Sequence, residues 1–78
     1  MKTMTCKQMG GACEETFSAE TFEDMAELSK AHGMAMFQKQ DAAHLAIMAE
    51  MKSMMEKPGA MEEYMANKRR EFDTAPED

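Results

Sequence analysis

The sequence predicts an α+β protein that is mostly helical: a short N-terminal two-stranded hairpin packed on a helix, followed by an antiparallel helical hairpin. Three observations carry this. Short alternating segments flank a glycine pair near the N-terminus, a capped helical period begins at Thr21, and Pro58-Gly59 divides a methionine-rich remainder.

Lys2 to Cys6 and Glu15 to Ser18 each alternate over a few residues, the pattern of half-buried strands. Between them Gly10 and Gly11 permit a tight turn, since glycine reaches positive φ at little cost. A lone hairpin is barely stable in water, so this one must pack on a helix or be clamped. The first helix opens at Thr21, whose hydroxyl can cap the first turn, with Glu23 and Asp24 complementing the positive end of the helix. Phe22, Met25, Ala26, Ser29, His32 and Met36 then share one face. Gly33 stands where a left-handed closing residue is expected, which places His32 in the last turn, facing the core.

The second helix runs from about Ala35 or Asp41 to Glu56, with Asp41 as N-cap in the shorter version. Phe37, His44, Leu45, Met48, Met51 and Met55 form its stripe, and Met36, Ile47 and Met54 widen it, which suggests more than one neighbour. The Pro58-Gly59 break ends it, because proline disfavours helix at the residue before it. A third helix follows from about Ala60 to Phe72, with Met61, Tyr64, Met65, Lys68 and Phe72 on one side, and a polar tail, Thr74 to Asp78, is expected to fray.

The 78 residues make a single domain, 1–78. Residues 1–33 form its hairpin and first helix, the candidate metal-binding part, and 34–78 its methionine-rich second and third helices. Domains this small bury only about 60% of their unfolded surface, so a disulfide, a metal or self-association commonly supplements the core. The formal net charge is −6, and the one basic cluster, Lys68-Arg69-Arg70, is flanked by Glu63 and Glu71. That argues against nucleic acid and against an anionic membrane surface. No stretch approaches the roughly 20 apolar residues of a membrane span, and no apolar signal segment follows Lys2. A cytoplasmic location is expected, where cysteines stay thiols or bind metal.

Cys6 and Cys13 are separated by six residues, longer than the usual zinc-knuckle spacing. The hairpin gives that spacing meaning: Cys6 ends the first strand and Cys13 precedes the second, so both thiols lie at one end. His32 can approach them, and Zn²⁺ accepts thiolate sulfur and imidazole nitrogen in a tetrahedron. His44 is the candidate fourth ligand. The alternative is that the cysteines are small buried hydrophobes, His32 a helix-end residue and His44 an ordinary half-buried histidine.

Met48, Met51, Met54 and Met55 with His44 also resemble the soft donor sets that favour Cu(I), although any apolar helix face shows the same spacing. Flexible, polarizable methionine equally suits an adaptable interface. Phe37, Met48, Met51, Met55, Met61 and Met65 are therefore the candidate interaction face, for a second copy or a helical protein partner. No phosphate loop is present, and no acid stands ready to orient a Cys–His or Ser–His pair, so the expectation is a protein that is not an enzyme.

Met1-Lys2-Thr3 leading to Cys6, Gly11-x-Cys13-Glu14, Phe17-x-Ala19-x-Thr21-x-Glu23 and His32-Gly33 resemble a family of small bacterial and archaeal proteins with an uncharacterised domain, described as predicted small metal-binding proteins. The resemblance covers residues 1–33. It implies a metal site at Cys6, Cys13 and His32, without a known reaction or partner. Members often carry a further histidine some five residues before the one matching His32, and Glu27 stands there in this chain. The fourth position is open to His44, a carboxylate or water. The expected function is that of a small non-catalytic Zn²⁺-binding protein, with a methionine-faced interaction module and a Cu(I) buffer as alternatives.

Overall fold

The computed structural model describes residues 1–77 and has the expected architecture: an antiparallel hairpin followed by three helices. Strand β1 (Lys2–Thr5) pairs with β2 (Thr16–Ala19) in the register Lys2↔Ala19, Met4↔Phe17. Alternation along the strands turns Met4, Phe17 and Ala19 to one buried face, as a period of two requires. On the other face the Thr3 and Ser18 hydroxyls meet at 2.8 Å, a cross-strand pair.

Helix α1 (Phe22–Gln38) starts as expected, with Thr21 Oγ1 accepting from the Asp24 N–H at 3.1 Å. It does not stop at Gly33. Ala31 before that glycine and the strong helix formers Met34, Ala35 and Met36 after it carry the helix through, outweighing the roughly 1 kcal/mol that an interior glycine costs. The left-handed closing residue is Gln40, at φ 60°. The Gln40 N–H donates to the Phe37 carbonyl and the Asp41 N–H to the Met36 carbonyl, both at 3.1 Å, the paired bonds of a Schellman ending. Two expectations change with this boundary. His32 sits inside the helix rather than in its last turn, and Met36 and Phe37 belong to α1 rather than to the second helix's stripe.

Asp41 is the N-cap of α2 (Ala42–Met55), the shorter of the two expected starts. The chain turns through Pro58 and Gly59, whose φ of 77° suits glycine, and folds α3 (Ala60–Thr74) back against α2. The tail is not frayed at Glu77, which bridges to Lys2 beside β1 and pairs with the N-terminal ammonium at 3.0 Å. Asp78, the last residue of the expected frayed tail, lies outside the described residues. Lys2 Nζ donates to the carbonyls of Phe72 and Asp73 in the last turn of α3, where the Phe72 carbonyl also accepts from the Ala75 N–H.

The buried cluster comprises Met4, Cys6, Phe17, Ala19, Phe22, Met25 and Phe72. Phe22 of α1 and Phe72 of α3 meet edge-on, with centroids 6.1 Å apart, and the Arg69 guanidinium lies over Phe22 while pairing with Glu23 at 2.6 Å. The basic cluster is thus engaged within the chain: Lys68 with Glu71, Arg69 with Glu23, Arg70 with Asn67. Helix α2 supplies only His44 to the fully buried side chains, and its methionines stand outside the core cluster. Among the described residues no helix is long and apolar enough to cross a membrane.

Candidate metal centre

The loop between the strands is shaped around one thiol. The Cys6 N–H donates to the Glu15 carbonyl at 2.7 Å and the Lys7 N–H to the Cys13 carbonyl at 3.0 Å, which extends the hairpin pairing past β1 and holds both cysteines at its end. The Cys6 carbonyl then accepts from the Met9 and Gly11 N–H groups, curling the loop back. A Cβ on Gly11 would lie 2.2 Å from Cys6 Sγ, so the thiol fills the space a side chain would need. Gly10, at φ 98°, leaves room for Tyr64, whose hydroxyl would sit 1.7 Å from a Cβ there. From α3, Tyr64 Oη donates to the Met9 carbonyl at 3.0 Å and Lys68 Nζ to the Gln8 carbonyl at 2.9 Å. Both α3 contacts tie down the backbone that presents Cys6.

The helices bring the imidazoles. His32 Nε2 lies 3.2 Å from Cys13 Sγ, and His44 Nε2 lies 3.6 Å from Cys6 Sγ. His32 rests against Phe17 of β2, with ring centroids 5.5 Å apart, and the two imidazoles meet edge-on at 5.3 Å. One donor atom from each of Cys6, Cys13, His32 and His44 falls within 4.8 Å of every other. The four expected candidates therefore converge, and His44 takes the fourth place that the first 33 residues leave open. Glu27 is exposed and is not one of the four.

His44 is 5% exposed, and its Nδ1 lies 2.6 Å from Asp41 Oδ2. An Nδ1–H donated to that carboxylate leaves the Nε2 lone pair directed at the cluster, the arrangement that carboxylates impose on metal-binding histidines. The Asp41 hydrogen bond raises the His44 pKa against the opposing effect of burial, and the same bond holds the Asp41 carboxyl below its ordinary value. Burial pushes the Cys6 thiol up, but hydrogen bonds from the Cys13 backbone, His44 and the Ala12 backbone outweigh it and the net shift is downward. Cys13 shifts upward. Its backbone bond to Glu15 favours the thiolate, while burial and the neighbouring Cys6 oppose it more strongly. The two thiols titrate as a pair, and holding both as thiolates side by side calls for a positive charge.

A divalent ion meets that need. Two thiolates neutralise its charge in a site where an unpaired ion would be costly. Tetrahedral zinc with Zn–S near 2.3 Å and Zn–N near 2.0–2.1 Å has ligand–ligand edges of about 3.3–3.8 Å. The two thiol–imidazole edges, at 3.6 and 3.2 Å, already lie close to that range, and the other donor pairs all lie within 4.8 Å. Both cysteines are free thiols.

Asp41 reads from sequence as a helix cap, and its position three residues before His44 is also the signal for the orienting bond. Tyr64 and Lys68 gave no signal, because their partners are loop carbonyls far away in sequence. The methionine face divides. Met48, Met51 and Met55 line one cavity beside Cys6 and His44, Phe37 lines a second with Met34 and Met48, and Met61 and Met65 line neither of these two. Comparison with protein-family models, curated proteins and solved structures finds no match to this chain.

Proposed function

We propose that this is a small zinc-binding protein in which Zn²⁺, held by Cys6, Cys13, His32 and His44, ties the hairpin to α1 and α2. The convergence of four donor atoms within 4.8 Å, drawn from the two hairpin stems and two helices, carries the reading. A two-sulfur, two-nitrogen tetrahedron favours zinc over Cu(I), and no thioether is among the four donors. With all four positions supplied by the protein the site is closed, which marks a structural rather than a catalytic ion. Such an ion contributes on the order of 10–16 kcal/mol apparent free energy at neutral pH, enough to decide whether the N-terminal half folds. A reducing compartment such as the cytoplasm keeps both thiols available. The test is elemental analysis and native mass spectrometry of protein purified without added metal. One zinc per chain is expected, lost in Cys13→Ser and in His44→Ala, and protein that purifies without stoichiometric zinc, or with copper in its place, would overturn the assignment.

A second reading, association with another copy or a helical partner, draws on the exposure of Phe37 (54%) and Met34 (57%) beside Met48. Sedimentation across a concentration series tests it, and Phe37→Glu should abolish any rise in mass.

A further inference from the structure

Beside the metal centre lies a cavity of about 360 Å³, small by the standard of ligand sites yet within their range. Its walls are apolar: Ile47, Met48, Met51 and Met55 of α2, Met9 of the loop, and Gly33 of α1. Cys6 and His44 form part of the lining, so the cavity shares a wall with the ligand cluster. The α2 methionines facing it, Met48, Met51 and Met55, are only half-buried or exposed and stand outside the buried core cluster.

Each main wall also carries a metal ligand. Met9 lies on the loop between Cys6 and Cys13, Gly33 follows His32 on α1, and the α2 wall is the helix that His44 opens. An ion that joins these four residues fixes the distances between the three walls. Independently of the ion, the loop is held to α3 by the hydrogen bonds of Tyr64 and Lys68, and Met9 packs against the buried core.

The polar groups decide the occupant. No acidic side chain lines the cavity, although acids outnumber bases fifteen to nine in the chain. Outside the ligand cluster, whose two thiolates balance the charge of a divalent ion, the one charged side chain in the lining is Lys52, exposed on α2 and without an ion pair among the described residues. The Tyr64 hydroxyl is already engaged with the Met9 carbonyl. A lone ammonium beside an apolar hollow repels a cation, soft or otherwise, and complements an anionic end. At about 30 Å³ per water-sized group, 360 Å³ holds roughly a dozen such groups, the size of a medium-chain alkyl or aromatic acid.

We infer that this cavity binds a small amphipathic carboxylate, its apolar body among the α2 methionines and its anionic end at Lys52, and that the metal centre assembles the cavity. The inference rests on the zinc reading and gives that structural ion a consequence: loss of metal releases the ligand.

The test titrates octanoate into the zinc-loaded full chain by calorimetry, with octyltrimethylammonium as the cationic counterpart and metal content measured on the same sample. Expected are saturable one-to-one binding of octanoate, little affinity for the ammonium, and loss of binding on chelation. Lys52→Glu should weaken octanoate at least tenfold while zinc stays stoichiometric, and Met51→Trp, which fills the cavity, should abolish binding with helicity unchanged. Zinc bound without octanoate, or equal affinity for both amphiphiles, would overturn the proposal and leave the metal centre standing. Octanoate binding that survives chelation overturns the assembly role, and absence of zinc removes both readings.

Discussion

Asp41 Oδ2 accepts two hydrogen bonds from a single residue, the backbone N–H of His44 at 3.1 Å and its ring Nδ1 at 2.6 Å. One oxygen therefore starts α2 and aims the imidazole that opens it. The two roles separate in Asp41→Asn. Asparagine caps a helix about as well as aspartate, so α2 should keep its stability to within a few tenths of a kcal/mol. A neutral amide holds and polarises the ring less strongly, and loss of such a partner lowers metal affinity by about 10–100-fold. Competition with a chromogenic zinc chelator measures this, and helicity by circular dichroism serves as the control. Asp41→Ala should lose both properties, with about 1 kcal/mol less stability in addition.

Gly11 tests the packing of the loop around its thiol. A methyl group there would press on Cys6 Sγ from 2.2 Å, and that sulfur is held by its place in the cluster. Gly11→Ala should displace the thiol, reduce zinc stoichiometry, and leave the Phe22–Phe72 contact and the α1 cap intact. Near-ultraviolet spectra of the cobalt-substituted protein report the change, because thiolate-to-metal absorption falls when one sulfur leaves. Full absorption in Gly11→Ala would show that the loop accommodates the methyl and that the crowding is not decisive.

The elements read directly from sequence are those fixed by local chemistry. Thr21 caps α1, the alternation at Met4 and Phe17 sets the hairpin, and Pro58-Gly59 ends α2. Gly33 misleads because glycine at a helix end and glycine tolerated inside a helix look identical in sequence, and the true ending uses Gln40, which carries no glycine signature. For the site, the hairpin brings Cys6 and Cys13 together by short-range pairing, so their proximity is legible. His44 is not, because its place depends on α1 extending to Gln38 and on the Schellman turn that directs α2 back across His32. Tyr64 and Lys68 depend on longer-range packing still, the docking of α3 on the loop.

That helix ending yields two substitutions of the same sign for opposite reasons. Gly33 is an interior helical glycine whose added Cβ would meet only Met48 Cε, at an ordinary 3.8 Å. Gly33→Ala should stabilise the protein by about 0.5–1 kcal/mol by reducing the entropy lost on folding. Gln40 is a side-chain-bearing residue in the left-handed region, which costs roughly 1–2 kcal/mol relative to its preferred conformations. Gln40→Gly relieves that strain at the cost of a more flexible unfolded chain, for a net gain of about 0.5–1 kcal/mol. Denaturant midpoints of the zinc-loaded protein check both, and a loss in Gly33→Ala would mean that Met48 cannot give way.

The ion pair of Glu23 with Arg69 joins the start of α1 to α3 across the hairpin-side core, and it makes stability depend on pH with a definite sign. The Arg69 hydrogen bond, followed by the Glu23 backbone N–H and the Arg69 charge, lowers the Glu23 pKa from its ordinary 4.5 in the folded state. A depressed carboxyl pKa means that the unfolded chain binds the proton more readily, so the contribution is fully present above about 4.5 and is lost as the pH falls through the lower folded value. Glu23→Gln should therefore be less stable than the parent at pH 6–7, and the two should converge at low pH. On the proposed zinc reading, release of the ion in acid would affect both proteins alike, since thiolates and imidazoles must be deprotonated to bind, and would cancel in the difference. The pair is exposed, so added salt should shrink the gap at neutral pH without shifting the pH at which it closes by much. Urea titrations of both proteins across pH 3–7 measure it, and a difference that persists unchanged to pH 3 would show that Glu23 acts through the first turn of α1 rather than through Arg69.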